Sequence, residues 1–533
     1  MASDAAHQER LRIAFERQVL ETPLVFLSRR LMSDQLTPVV GYRKLVLPDE
    51  RTAPSFLFES VENGVNQGRY SILGARPVRE VVVQQSEIVH KNHADGTVRT
   101  STERDPLTAV RALLGDAKPA SAHAREALAL PACFIGGIVG FASFDSVRYL
   151  EPEKLPFAHA PHDDRGLPDL HFGLYREVVV FDHVTKTVHA IVSVDVREFA
   201  HHDAAFRSGI EALAALVTQL ASVTPRLGTG AVDLDLSATP QAAKSNMSRL
   251  EFESAVCRAK EYIAAGDAFQ VVLSQRFERE TTADPFDIYR ALRIVNPSPY
   301  QIYLQGERTI LVASSPEILC RVRGRTVVNR PLAGTRARGS TEEADLALER
   351  ELLADEKERA EHTMLVDLGR NDLGRVATTG SVTIDRCMEV ERYSHVMHIS
   401  STLTSELREG LDSFDALRAT LPVGTVSGAP KVRAIQIIDE LEPVRRGPYA
   451  GGIGAVGFGG DMDIALALRT LVIPTGLCEG EKHRNWKVFL QAGAGVVLDS
   501  DASSEWRETV AKSAALGRAI DLAESAFQSS VAS

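Results

Sequence analysis

The chain has 533 residues, 44% hydrophobic and 25% charged, a globular balance with enough apolar mass for a large core and two or more domains. Its formal net charge of -11 and pI near 5.8 exclude a sequence-independent nucleic-acid binder, which needs a basic surface, yet leave room for local cations around an anionic substrate. No apolar run approaches the ~20 residues of a membrane span, the opening MASDAAHQERLRIAFERQ lacks an apolar signal core, and the five cysteines form no short-spaced pair, so no membrane and a reducing, cytoplasmic setting are expected.

In chain order, residues 1–22 read as a lead-in ending in a short helix. From 23 to 200, β-branched runs alternate with turn residues (EVVVQ at 80–84, CFIGGIVGF at 133–141, EVVVFD at 177–182, HAIVSVDV at 189–196), which predicts a strand-rich region. The segment 201–247 joins an amphipathic helix, with Ile210, Leu213, Leu216, Val217 and Leu220 at helical spacing, to a linker rich in Thr, Pro, Gly, Ala and Ser. From 248 to 516, helices are predicted at 251–265, 341–373, 413–420, 431–440 and 504–520, with strands at 270–274, 310–313, 326–329, 464–473 and 487–492. Residues 517–533 form a tail, and the class is α+β.

The chemistry-bearing residues concentrate after 250. Glu358 and Glu361 are three apart, as are Glu505 and Glu508, with Lys512 four further on; such spacing puts side chains on one helix face. Two faces of this kind turned together offer the oxygen ligands that Mg²⁺ prefers, although such pairs alone are usually solvated surface. AGAG at 492–495, GTVSGAP at 424–430 and GGIG at 451–454 are expected to be glycine-rich turns able to bring N–H groups to a carboxylate. Arg469 lies inside an apolar predicted strand, where an internal ion pair and a substrate carboxylate are equally good partners. His395 and His398 are three apart without a third soft ligand nearby, which favours a titrating group over a metal site.

These motifs stand in one order with GDAFQVVLSQRF, NPSPYQIY, SSPEIL, RPLAGTRARG, RRGPYAGGIGAVGF and EWRETVAK, and from about 250 to 515 the chain resembles the chorismate-utilising enzymes. LFESVENGVNQGRYSILG and IGGIVGFASFDSVRYLE are similar to the N-terminal region of anthranilate and aminodeoxychorismate synthases. The resemblance implies two large antiparallel sheets packed as a sandwich, flanked by helices, with the active site in a cleft. It implies Glu361 and Glu508 as direct Mg²⁺ ligands, with Glu358 and Glu505 direct or through water. Thr335, Thr425, Tyr449, Arg469, Gly493, Gly495 and Lys512 would hold chorismate, Glu317 would be the general acid and His398 would move the C2 proton.

Two positions separate the family's chemistries. Isochorismate and salicylate synthases carry a Lys where this chain has Gln270, which cannot activate water but can hold ammonia. Aminodeoxychorismate synthases, the alternative reading, carry a nucleophilic Lys where this chain has Ala333. A non-catalytic binding relative would have lost the four glutamates or His398. The anthranilate synthase large subunit is therefore expected, fed with ammonia by a separate glutamine amidotransferase subunit, because no cysteine here sits in a glutaminase elbow. Tryptophan is expected to inhibit at Ser60, Asn296, Pro297, Ser298, Pro299, Tyr300 and Gly454. RAR at 336–338, Gln301 and Ala511 depart from the family pattern.

Overall fold

The computed structural model describes residues 2–62, 66–116, 118, 120–223, 227–232, 239–241, 243–393, 396–477 and 485–527; His395 and Cys478 lie outside this set. Two twelve-stranded antiparallel sheets make the body, as expected for the fold class. The first runs from Leu24–Met32 through Ser55–Glu59, Tyr300–Gln305, Thr309–Ser315, Thr470–Pro474 and Trp486–Val496 to Gln270–Thr281. The second runs from Leu332–Ala337 through Val396–Glu406, Ile318–Arg323, Met462–Leu466 and Gly452–Gly457 to Gly137–Ala142 and Leu170–Tyr175.

Both sheets cross the compositional regions. Ser55–Glu59 pairs with Tyr300–Gln305 in one, and Gly137–Ala142 pairs with Gly452–Gly457 in the other. The alternation of side chains along a strand explains the two cores. Phe56, Ile302, Leu304, Leu311 and Ala313 face the second sheet and join Phe141, Phe172, Ile453 and Ile464 in one apolar cluster. Their neighbours Leu57, Tyr303, Ile310 and Val312 face outward, against Tyr42, Leu213, Tyr289, Leu292 and Ile520 from the covering helices. A sheet buried on both faces needs apolar residues at every position, hence runs such as EVVVFD, now the strand Glu177–Asp182.

Several expected elements change shape. The opening segment is an 18-residue helix, Ala2–Val19, that buries Leu11 and Phe15. The predicted helix 341–373 is two helices, Glu342–Ala354 and Glu356–Gly374, because Asp355 takes an extended conformation and caps the second by accepting from the N–H groups of Lys357 and Glu358. The last helix, Ala502–Phe527, runs on past residue 517 and buries Leu522 and Ala523. The predicted strand 464–473 is broken into Met462–Leu466 and Thr470–Pro474, which belong to different sheets.

Candidate active site

That last break builds the site. The chain passes from one sheet to the other between Leu466 and Thr470, and again between Ser315 and Ile318. Pro316 has no N–H to continue a ladder, so the second crossing is legible in the sequence. The crossings are tied together: Leu466 N–H donates to Glu317 O at 3.0 Å, Ser314 N–H donates to Arg469 O at 3.1 Å, and Ser315 Oγ donates to Leu466 O at 2.6 Å. Glu317 and Arg469 therefore project from neighbouring crossovers.

Glu317 is 3% exposed, and burial pushes its carboxyl up to about 8. Thr425 Oγ1 donates to Glu317 Oε1 at 2.9 Å, opposing that rise. Arg469 adopts a left-handed φ of 47°, and Ala450, beside Tyr449, one of 64°; non-glycine residues hold this conformation at a cost of roughly 1–3 kcal/mol, commonly at functional positions. The Arg469 guanidinium makes no ion pair among the described residues and donates only to Lys512 O at 3.3 Å. The internal partner weighed for Arg469 is absent there, and burial lowers the proton affinity of its cation.

His398 lies on Val396–Glu406, paired with Thr335 on Leu332–Ala337. Its Nδ1 is 2.9 Å from Gly334 O, which only accepts, so Nδ1 holds the proton and Nε2 presents a lone pair. Thr335 Oγ1 is 3.1 Å from the same nitrogen. Burial, aided by the positive charges of Arg469 and Lys512, lowers His398 to about 4, so its imidazole is neutral at neutral pH.

The acidic helix faces close a further side. Gln270 Nε2 donates to Glu361 Oε1 at 2.7 Å, Lys512 Nζ pairs with Glu508 at 2.6 Å, and Arg336 pairs with Glu358 at 3.1 Å. Burial raises Glu361, with the charges of Glu358 and Glu508 adding to it against the Gln270 hydrogen bond. Burial also raises Glu505, again with Glu508 contributing. Among the described residues, no three His, Cys, Asp or Glu side chains converge closely enough to hold a metal ion. The oxygen donors of these carboxylates are of the chemical kind a hard divalent cation takes.

The glycine motifs have other uses than turns. AGAG lies inside the strand Trp486–Val496, and GGIG spans the start of Gly452–Gly457. A Cβ on Gly454 would lie 2.1 Å from Asp463 O, so the strands lie too close there for a side chain. A Cβ on Gly495 would meet Gln270 Nε2 at 2.7 Å, and one on Gly428, at φ 128°, would meet Gln270 O at 2.1 Å. These two glycines make room for Gln270, which is 1% exposed and whose Oε1 has no hydrogen-bond partner among the described residues. Gly493 accepts from Lys512 Nζ at 3.1 Å, and its backbone hydrogen-bonds the Tyr449 hydroxyl, whose proton burial holds up to about 12.

A second cluster lies at the joint between the N-terminal strands and the body. Val61 N–H, next to Ser60, donates to Ser298 O at 3.1 Å. Asn296 Nδ2 donates to Ser314 Oγ at 3.1 Å, and Pro297 and Pro299 flank Ser298 just before the strand Tyr300–Gln305. Tyr300 donates to Asp463 Oδ1 at 2.7 Å, and Asp463 is the residue against which Gly454 is pressed. Gln301, a departure from the family pattern, is buried and donates to Asn296 O at 2.8 Å.

Residues 54–518 match the model of the chorismate binding enzymes, so the chain belongs to that family. A protein named anthranilate synthase alpha subunit 1, chloroplastic, from Oryza sativa subsp. indica is 55% identical over 516 residues, covering 94% of this chain and 88% of its own. Anthranilate synthase component 1 of Pseudomonas putida is 46% identical, covering 92% and 94%. The crystal structure of anthranilate synthase component I from Streptococcus pneumoniae TIGR4 superposes with a TM-score of 0.71 at 35% identity, covering 92% of this chain and 99% of that one. The menaquinone-specific isochorismate synthase of Escherichia coli, at 19% identity and a TM-score of 0.65, shares the fold. Within the chorismate-binding enzymes, the chain is a member of the anthranilate synthase component I family.

Proposed function

We propose that this chain aminates chorismate with ammonia and then eliminates pyruvate, giving anthranilate, in a reaction that requires Mg²⁺. The observation that carries the reading is Gln270: a buried amide with an unpartnered Oε1, beside Glu361, where hydration of the ring would need a base. An unfilled acceptor takes an N–H from ammonia and cannot deprotonate water. Ala333 supplies no amine, which disfavours the aminodeoxychorismate route.

Glu358, Glu361, Glu505 and Glu508 would hold Mg²⁺, whose charge neutralises the substrate's ring carboxylate. Arg469, Tyr449 and Lys512, with the Gly493–Gly495 backbone and Thr335 beside them, grip the carboxylate of the enolpyruvyl arm. Glu317, protonated below about 8, gives its proton to the C4 hydroxyl, which leaves as water while ammonia adds at C2, and the C2 ammonium so formed releases one proton to solvent. His398 Nε2 then takes the C2 proton as the bond from C3 to the enolpyruvyl oxygen breaks, its electron pair leaving with the oxygen. The ring is aromatic and the arm departs as enolpyruvate, which takes up a proton at its methylene carbon to become pyruvate.

Ammonia reaches the site from a separate glutamine amidotransferase, a partner consistent with the subunit names of the relatives. Tryptophan binds at the Ser60, Asn296–Tyr300 and Gly454 cluster and inhibits by favouring one arrangement of the joint. No helix among the described residues is long and apolar enough to cross a membrane, and their four cysteines are free, in keeping with a cytosolic setting. The test is incubation with chorismate, Mg²⁺ and ammonium, followed by anthranilate fluorescence. Signal is expected with ammonium, none with glutamine alone, and none in excess chelator. Product formed in chelator would remove the metal from the reading, and turnover with glutamine alone would remove the partner.

A further inference from the structure

Beneath the site lies a fully buried ion pair that the proposed reaction leaves without a task. Arg446 is 2% exposed and Glu442 5%, and their side chains meet through Nη2–Oε1 at 2.6 Å and Nε–Oε2 at 2.9 Å. A buried pair stabilises a fold weakly compared with apolar packing, so its hydrogen-bond geometry is where a role is to be sought. Arg446 Nη1 donates to Val426 O at 2.6 Å, and Nη2 donates to Val272 O at 2.7 Å. Val426 follows Thr425, the donor to Glu317, and Val272 is two residues along the strand from Gln270. Glu442 Oε1 in turn accepts from the Ser274 N–H at 2.7 Å and its Oγ at 2.9 Å, on the same strand. Arg446 also lies over the Phe144 ring, 4.5 Å from its centroid, and 5.9 Å from that of Tyr449. One planar fork thus fixes the segment under the acid and the strand that carries the ammonia-holding amide.

We infer that Arg446, locked by Glu442, is the positioning residue that sets the Thr425–Glu317 hydrogen bond and its register with Gln270. This rests on the reading of Glu317 as the acid. A lysine keeps the charge but has a single nitrogen, which cannot bridge Val426, Val272 and both Glu442 oxygens in one plane. Thr425 holds Glu317 down against burial, and the positive charge of Arg330 lowers it as well. Loosening Thr425 must therefore move the Glu317 titration upward.

The experiment is the pH dependence of kcat/KM for chorismate, with free ammonia held constant and Mg²⁺ saturating. Arg446→Lys should lower kcat by about tenfold or more with little change in chorismate KM, and displace the alkaline limb upward by about half a pH unit. Thr425→Val should displace the limb likewise, and the double variant should shift it no further than either single change. Where Arg446→Lys does not fold, Glu442→Gln, which weakens the lock and keeps an acceptor for Ser274, should give a smaller shift, again non-additive with Thr425→Val. A uniform fall in rate with the limb unmoved, or shifts that add, would overturn the inference. Glu317→Gln separates the two readings: an alkaline limb that survives in it removes the acid assignment, whereas its loss there beside an unmoved limb in Arg446→Lys removes only the role of Arg446.

Discussion

Glu317 and His398 define a pH window by opposite displacements with one dominant cause. Burial raises the carboxyl to about 8 and lowers the imidazole to about 4, so between these values the acid carries its proton and the base is neutral. At constant free ammonia, the rate should be flat across this window and fall as pH rises through about 8, where Glu317 ionises. Glu317→Gln should lose about 10²–10⁴ in kcat. A profile still rising above pH 9 at constant ammonia would exclude Glu317 as the acid. Arg469 makes a different kind of demand: a half-buried cation in a left-handed conformation, without an ion pair among the described residues, is costly until an anion arrives. Arg469→Met should leave thermal stability unchanged or raised while lowering kcat/KM for chorismate by roughly 10–100-fold, the value of a charged hydrogen bond. A marked fall in melting temperature would mean that Arg469 serves the fold. Neither residue could be ranked from the sequence alone, because the cost of Arg469 depends on the absence of a partner and the proton of Glu317 depends on burial.

Elements explain which motifs were legible and which were misread. The i, i+3 glutamates lie on the predicted helices, because helical spacing is a local property. The glycine motifs read as turns, but AGAG and the last three residues of GGIG run through strands in the interior, where the constraint is the approach of another strand or of Gln270. For AGAG nothing local distinguishes these uses, since the neighbouring strand Gln270–Thr281 lies more than two hundred residues away, whereas Gly454 is pressed by Asp463 on the next strand of its own hairpin. The helix break at Asp355 was missed in the same region: an Asp between two helix-forming runs is a capping signal that continuous periodicity conceals. Gly495→Ala follows from this geometry. Its Cβ would meet the end of the Gln270 side chain at 2.7 Å, and that amide can swing aside. Stability should therefore change little while ammonia-dependent turnover falls at least tenfold, with the ammonia KM raised more than the chorismate KM. Equal losses in both constants would argue against Gln270 as the ammonia site.

At the scale of the molecule, the sandwich and its helices were expected from the resemblance, whereas the interleaving of early and late strands was not legible, because strand order is set by long-range pairing. The Ser60 cluster occupies that interleaving, where Ser55–Glu59 is hydrogen-bonded to Tyr300–Gln305. Ser60→Phe should abolish or strongly weaken inhibition by tryptophan while leaving uninhibited turnover within about twofold, since it changes the joint and not the chemistry. Equal inhibition of both proteins would place the effector elsewhere.

The two adjoining crossovers act mechanically as a pin through the sandwich. Glu317 and Arg469 lie in the crossovers that are bonded to each other at the pin, whereas Glu358, Glu361, Glu505 and Glu508 ride on helices packed outside it. A tilt of one sheet against the other has its smallest displacement at a pin and its largest at the periphery. The joint where Ser60 lies is itself bonded to this pin, because Asn296 Nδ2 donates to Ser314 Oγ and Ser314 N–H donates to Arg469 O, so an effector there reaches the anion grip without tilting the sheets. Inhibition by tryptophan should then show first as a raised requirement for chorismate, whose carboxylate Arg469 is proposed to hold, with a smaller change in the requirement for Mg²⁺.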